Sequence, residues 1–88
     1  MENMEVLDFY SDSCRPCSLL AIDLDEIIKE TGIRIKKLNI FDYYELTEKY
    51  NIRSVPTVVF LKNSEATASY CGYKGKDDLM KFIRENIC

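Results

Sequence analysis

Two cysteines, Cys14 and Cys17, stand three residues apart where an extended-looking segment gives way to a helical one, and this junction restricts the fold more than any other feature. Ahead of it, Met4-Glu5-Val6-Leu7-Asp8-Phe9-Tyr10 is short and rich in β-forming residues, which predicts a strand. Its apolar residues do not alternate strictly, as suits a central strand covered on both faces. Ser11-Asp12-Ser13 supplies a polar loop. From about Arg15 to Thr31, Leu20, Leu24, Ile27 and Ile28 recur at helical spacing, with Leu19 and Ala21 beside them. Pro16 falls in the first turn, where a missing N–H costs nothing, and Gly32 follows the last turn as a stop.

The remaining elements follow from the same reasoning. Ile33 to Ile40 alternates apolar and polar residues over most of its length and predicts a strand. Asp42, with Glu45 three residues on, resembles a capping box opening a short helix whose buried stripe is Tyr43, Leu46 and Tyr50, with Asn51 closing it. Thr57-Val58-Val59-Phe60-Leu61 is a continuous apolar run that predicts a core strand, and Ala66 to Cys71 returns as its hairpin partner, with Asn63 in a left-handed conformation at the turn. After Gly72 and Gly75, the residues Leu79, Phe82, Ile83 and Ile87 define a C-terminal amphipathic helix. The order β-α-β-α-β-β-α predicts an α/β fold, with a right-handed parallel crossover in the first β-α-β unit and helices on both faces of a central sheet.

Composition narrows the possible functions. Eighty-eight residues predict one domain, 1–88. With 47% apolar and 31% charged residues, the chain has a globular balance and not that of a disordered one. Fifteen acids against 12 bases, a net charge of −3, argue against nucleic-acid binding. No apolar run approaches the roughly 18–20 residues needed to cross a bilayer, so no membrane association is expected. The acidic start and brief apolar stretch lack the form of a secretory signal, and a cytoplasmic location is expected. With no histidine in the chain, Cys-His and Ser-His catalytic pairs and imidazole metal ligands are excluded.

The four cysteines, at positions 14, 17, 71 and 88, include only one close pair. A secreted disulfide scaffold spreads its cysteines to staple distant loops, which Cys14-Arg15-Pro16-Cys17 does not do. A zinc site would have to recruit the isolated Cys71 and Cys88, whereas structural zinc uses two close pairs or histidines, so no metal is expected. Incidental buried cysteines are the other competing use. Redox chemistry fits the placement best. Residues three apart share a helix face, so the two sulfurs can reach disulfide distance. The helix start, with its unpaired N–H groups and macrodipole, favours an anion at Cys14 and lowers its pKa from the ordinary 8.5 or so. Arg15 adds a neighbouring positive charge. The remaining cysteines are read as a buried strand residue at Cys71, with a third redox thiol as the alternative, and an exposed terminal thiol at Cys88.

These motifs, in order, resemble the thioredoxin family. Val6 to Tyr10 leading into Ser13-Cys14-Arg15-Pro16-Cys17 is similar to the family's first core strand and active-site loop, Lys37-Leu38-Asn39-Ile40 to the next strand, and Ile52-Arg53-Ser54-Val55-Pro56-Thr57 to its cis-proline segment. Gly72 falls where the family has a late glycine, and the resemblance spans residues 6–83. It implies a thioredoxin fold, here a minimal core with a four-stranded mixed sheet, and a thioredoxin-like protein-disulfide reductase. By this resemblance Cys14 is the attacking thiol and Cys17 the resolving thiol. Pro56 is the cis-proline facing their redox-active disulfide, and it aims the Val55 backbone at the substrate chain. Asp8 is a buried acid beneath Cys17 with Lys37 near it, its pKa raised by desolvation so that it takes the proton from Cys17. Ser13, Arg15, Val55, Gly72 and Tyr73 border the substrate groove.

No bound cofactor is expected. The implied partners are disulfide-containing proteins and an electron donor, either a thioredoxin reductase (NADPH- or ferredoxin-linked) or glutathione, and the chain is expected to be monomeric. Two features depart from the family pattern: Ser13 stands where the family has tryptophan, and Arg15 where it has glycine. A glutaredoxin-like, glutathione-dependent oxidoreductase is the rival reading, with Gly72, Gly75, Asp77 and Asp78 faintly echoing that family's glycine pair and helix-start acid. A redox-inactive interaction module on the same fold is the other alternative.

Overall fold

The computed structural model describes residues 4–87, with the side chain of residue 87 and all of Cys88 outside the description. The elements run β1 (Met4–Tyr10), α1 (Arg15–Thr31), β2 (Ile35–Asn39), α2 (Tyr44–Lys49), β3 (Thr57–Lys62), β4 (Glu65–Cys71) and α3 (Lys76–Ile87). They form one four-stranded sheet in the order β2-β1-β3-β4. β1 is parallel to β2, with Asp8 opposite Lys37, and antiparallel to β3, with Phe9 opposite Thr57. The mixed sheet expected from the sequence is therefore present, and the expected central strand is β1.

Alternation along β1 and β3 divides the core into two layers. Val6, Val58 and Phe60 pack with Leu20, Leu24 and Ile27 of α1 and Leu79, Met80 and Ile83 of α3. Leu7, Phe9, Val59 and Leu61 point to the other side, where Leu46 and Tyr50 cover them. Both faces of β1 are thus apolar, which explains why its sequence does not alternate. Asp8 shares the face of Val6 and lies beneath α1, only 2% exposed.

Local sequence explains the ends of the elements. Gly32 closes α1 in a left-handed conformation, φ 71°, and its N–H donates to the Ile28 carbonyl. Asn63 and Ser64 turn the β3–β4 hairpin, both with positive φ (51° and 71°), as a two-residue type I′ connection requires.

Several expectations need correction. No capping box opens α2: Tyr43 is its N-cap, with no side-chain cap bond. Asn39 organises this turn instead, its side-chain oxygen accepting from the Phe41 N–H and its carbonyl from the N–H groups of Asp42 and Tyr43. Tyr43 is exposed and not part of a buried stripe, because α2 is so short that Leu46 and Tyr50 alone reach the sheet, each half-buried. The second strand starts at Ile35, two residues later than the alternation indicated. Cys71 is exposed, not buried, because it lies at the end of β4, an edge strand.

Candidate active site

β1 ends at Tyr10, and the chain turns through Ser11–Ser13 before α1 begins. Cys14 is the N-cap of that helix in extended conformation, and its sulfur accepts the N–H of Cys17 at 3.2 Å. A side chain that accepts from the third helical residue is the ordinary N-cap arrangement, here made by sulfur in place of oxygen. Any negative charge that develops on Cys14 Sγ is met by this donor and by the positive end of the helix. Pro16 occupies the second helical position, where no N–H is needed. Cys14 and Cys17 are joined in a disulfide, with Cα atoms 5.2 Å apart. Cys14 is half-buried and Cys17 buried.

Beneath Cys17 lies a cavity of about 270 Å³ whose walls include Asp8, Cys17, Ser18, Ala21 and Lys37. Asp8 Oδ1 is buried there without a hydrogen-bond partner. Burial pushes the Asp8 pKa up from 3.8 to about 6, while the Lys37 charge pulls it partly back. Lys37 does not bond Asp8; its Nζ donates to Asp25 Oδ1 of α1 at 3.2 Å. Asp25 was not legible as a member of this cluster, because it is one of several acids on the exposed face of α1.

On the outer side, Ser13, Cys14 and Arg15 line a groove of about 370 Å³ that continues along α1 past Leu19 and Ile22. The Val55–Pro56 peptide bond is cis. Pro56 directly precedes β3, whose first residue, Thr57, pairs with Phe9 near the end of the strand that leads to Cys14. Gly72 joins this segment by donating its N–H to the Pro56 carbonyl at 2.9 Å. The Tyr73 hydroxyl donates to Asp23 of α1 at 2.6 Å, nine residues beyond Cys14. The Tyr70 hydroxyl is likewise committed, to Asp78. Exposed Cys71 lies next to Thr57, whose hydroxyl approaches its sulfur at 3.8 Å. Among the described residues, no group of three or more His, Cys, Asp or Glu is placed to hold a metal ion.

A disulfide capping the first helix of a mixed sheet, above a buried carboxylate, defines a thiol–disulfide oxidoreductase. The Thioredoxin family profile matches residues 1–85. The chain is 37% identical over 84 residues to a thioredoxin of Rickettsia bellii, covering 93% of this chain and 80% of that one. It is 39% identical to a thioredoxin of Buchnera aphidicola, covering 93% and 78% of the two chains. Among solved structures, the thioredoxin Deadhead of Drosophila melanogaster superposes with a TM-score of 0.88 at 29% identity, covering 96% of this chain and 81% of that one. A mutant thioredoxin of Halobacterium salinarum superposes with a TM-score of 0.85 at 27% identity, covering 93% and 73%. This chain belongs to the thioredoxin family, and its redox centre is the Cys14–Cys17 disulfide. Disulfide-containing proteins as substrates and a reductase as partner follow from that membership in general terms.

Proposed function

We propose that this domain, residues 1–88, reduces protein disulfides with Cys14 as the attacking thiol and Cys17 as the resolving one. In the reduced protein, Cys14 thiolate attacks one sulfur of a substrate disulfide. A Cys14–substrate bond forms as the substrate S–S bond breaks, and the departing substrate thiolate takes a proton from water. Cys17 then gives its proton to the Asp8 carboxylate and attacks Cys14 Sγ. The Cys14–Cys17 bond forms, and the second substrate sulfur leaves as thiolate and is protonated. Two electrons pass from the protein dithiol to the substrate, and an external reductant restores the dithiol.

The observation that carries this reading is the placement of Cys14 Sγ at the α1 N-terminus, on the Cys17 N–H. It favours charge on Cys14, while Cys17 shares a cavity with the Asp8 carboxylate, whose pKa burial raises to about 6. Lys37 acts through its charge on Asp8. The Pro56 segment with Val55 and Gly72 offers the substrate its backbone, and Ser13 and Arg15 flank the point of attack.

The electron donor in this proposal is a thioredoxin reductase. The glutathione alternative draws on Asp77 and Asp78, but Asp78 is already engaged by Tyr70. An exposed thiol at Cys71 suits a reducing compartment, which supports a cytoplasmic setting, with the protein working as a monomer. The test is insulin disulfide reduction, first with dithiothreitol and then with either NADPH and thioredoxin reductase or glutathione. Turnover with the reductase system and little with glutathione is expected. The opposite preference would assign the chain to the glutathione-dependent class, and no turnover with dithiothreitol would leave only an interaction module.

A further inference from the structure

We propose that α1 carries a specificity site for the substrate chain: an aliphatic side chain flanking the substrate cysteine seats on Leu19 and Ile22. The proposal rests on the exchange reaction above and names what that reaction prefers to act on. α1 buries Cys17, Leu20, Leu24 and Ile27 against the sheet and α3, and Leu19 and Ile22 take no part in this. They are 40% and 58% exposed. The spacing of residues 15, 18, 19 and 22 places Arg15, Ser18, Leu19 and Ile22 on one face of the helix. That face begins at the reactive sulfur, because both apolar side chains line the same groove as Cys14.

The groove is therefore continuous with the point where substrate must arrive, and this settles its occupant. A substrate whose sulfur is bonded to Cys14 Sγ already lies at one end of this groove, so the residues that leave its cysteine on the helix side, away from the Pro56 segment, meet Leu19 and Ile22. At a rise of 1.5 Å per residue, Leu19 lies about 7 Å and Ile22 about 12 Å along the helix from Cys14. An extended substrate advancing roughly 3.3 Å per residue reaches them about two and four residues from its cysteine. The volume of about 370 Å³ admits a leucine-sized side chain. Asp12, Ser13 and Arg15 form the polar rim, and small Ser13 leaves the approach open. The apolar stripe thus supplies a partner contact on the helix side of the sulfur.

The test compares three disulfides as substrates of the full chain. Two are otherwise identical peptides in mixed disulfide with a small thiol, carrying leucine or serine at the second and fourth residues from the cysteine, and the third is bis-hydroxyethyl disulfide. Wild type should favour the leucine peptide by about ten-fold in kcat/KM, the discrimination that one apolar pocket can supply. The double variant Leu19→Ser, Ile22→Ser should lose that preference while reducing the serine peptide and bis-hydroxyethyl disulfide at wild-type rates. Because both residues are largely solvent-exposed, its thermal midpoint should fall by no more than a few degrees. Equal rates on the two peptides with wild type, or a preference that survives in the double variant, would overturn the site. Failure of wild type to reduce insulin disulfides with dithiothreitol would instead remove the exchange chemistry, and the site with it.

Discussion

Asp8 is the residue where sequence and environment conflict most. It is an acid in an otherwise apolar strand, 2% exposed, with Oδ1 unpartnered. Burial raises its pKa from 3.8 to about 6, so the native state holds this proton at pH values where the unfolded chain has released it. The stability linked to this proton is complete below about 3.8 and is lost as pH rises through about 6. A shift of about two units is worth ~3 kcal/mol. Asp8→Asn, which has no proton to lose, should gain about that much on wild type between pH 3.5 and pH 7.5 in urea titrations. A constant difference between the two proteins would show that Asp8 carries no such cost. The same substitution should slow resolution of the mixed disulfide near pH 7 by on the order of 100-fold, with the deficit shrinking where Cys17 ionises unaided. An equal rate at every pH would remove Asp8 from the reaction. The sequence marked Asp8 by its oddity and Lys37 by resemblance. It gave no sign that the Lys37 ammonium is drawn to Asp25, a contact between residues 12 apart that exists only once α1 lies on the sheet.

Single elements were legible where periodicity and turn chemistry agreed. The apolar spacing of α1, its Pro16 and its Gly32 pointed to one helix, and α1 spans Arg15–Thr31. Leu19 looked like part of the apolar pattern yet faces solvent, because a helix with a filled buried stripe has no room for a wider one. α2 failed the capping-box expectation because Asn39, at the end of β2, reaches forward to satisfy the turn first. The β3–β4 hairpin offers a direct check of turn chemistry. Ser64 holds φ at 71°, where a Cβ is disfavoured, and nothing lies in the way of a glycine there. Ser64→Gly should raise stability by roughly 0.5–1 kcal/mol, read as a higher urea midpoint at unchanged slope. A lower midpoint would mean that the Ser64 side chain matters more than its backbone.

At the scale of the whole molecule, the two faces of the sheet are unequally built. Among the described residues, the layer under α1 and α3 holds ten buried residues, six of them from these helices, whereas the other layer has five, none of them from α2. Native-state hydrogen exchange should therefore protect α1 amides from Leu20 to Ile27 at least ten-fold more than those of α2, since lightly packed elements open first. Equal protection would mean that the two layers open as one unit. This asymmetry places the reactive end of α1 on the better-anchored layer, where Cys14 keeps a fixed position relative to Asp8 and the Pro56 segment.

That fixed position is the basis for assigning different work to the two sulfurs, and trapping measures it directly. Cys17→Ser and Cys14→Ser, each reduced and mixed with a protein disulfide substrate, are to be compared by intact mass under non-reducing conditions. Cys17→Ser should accumulate a mixed disulfide through Cys14, and Cys14→Ser should accumulate none. Accumulation on Cys14→Ser alone would reverse the roles of the two sulfurs and contradict the account.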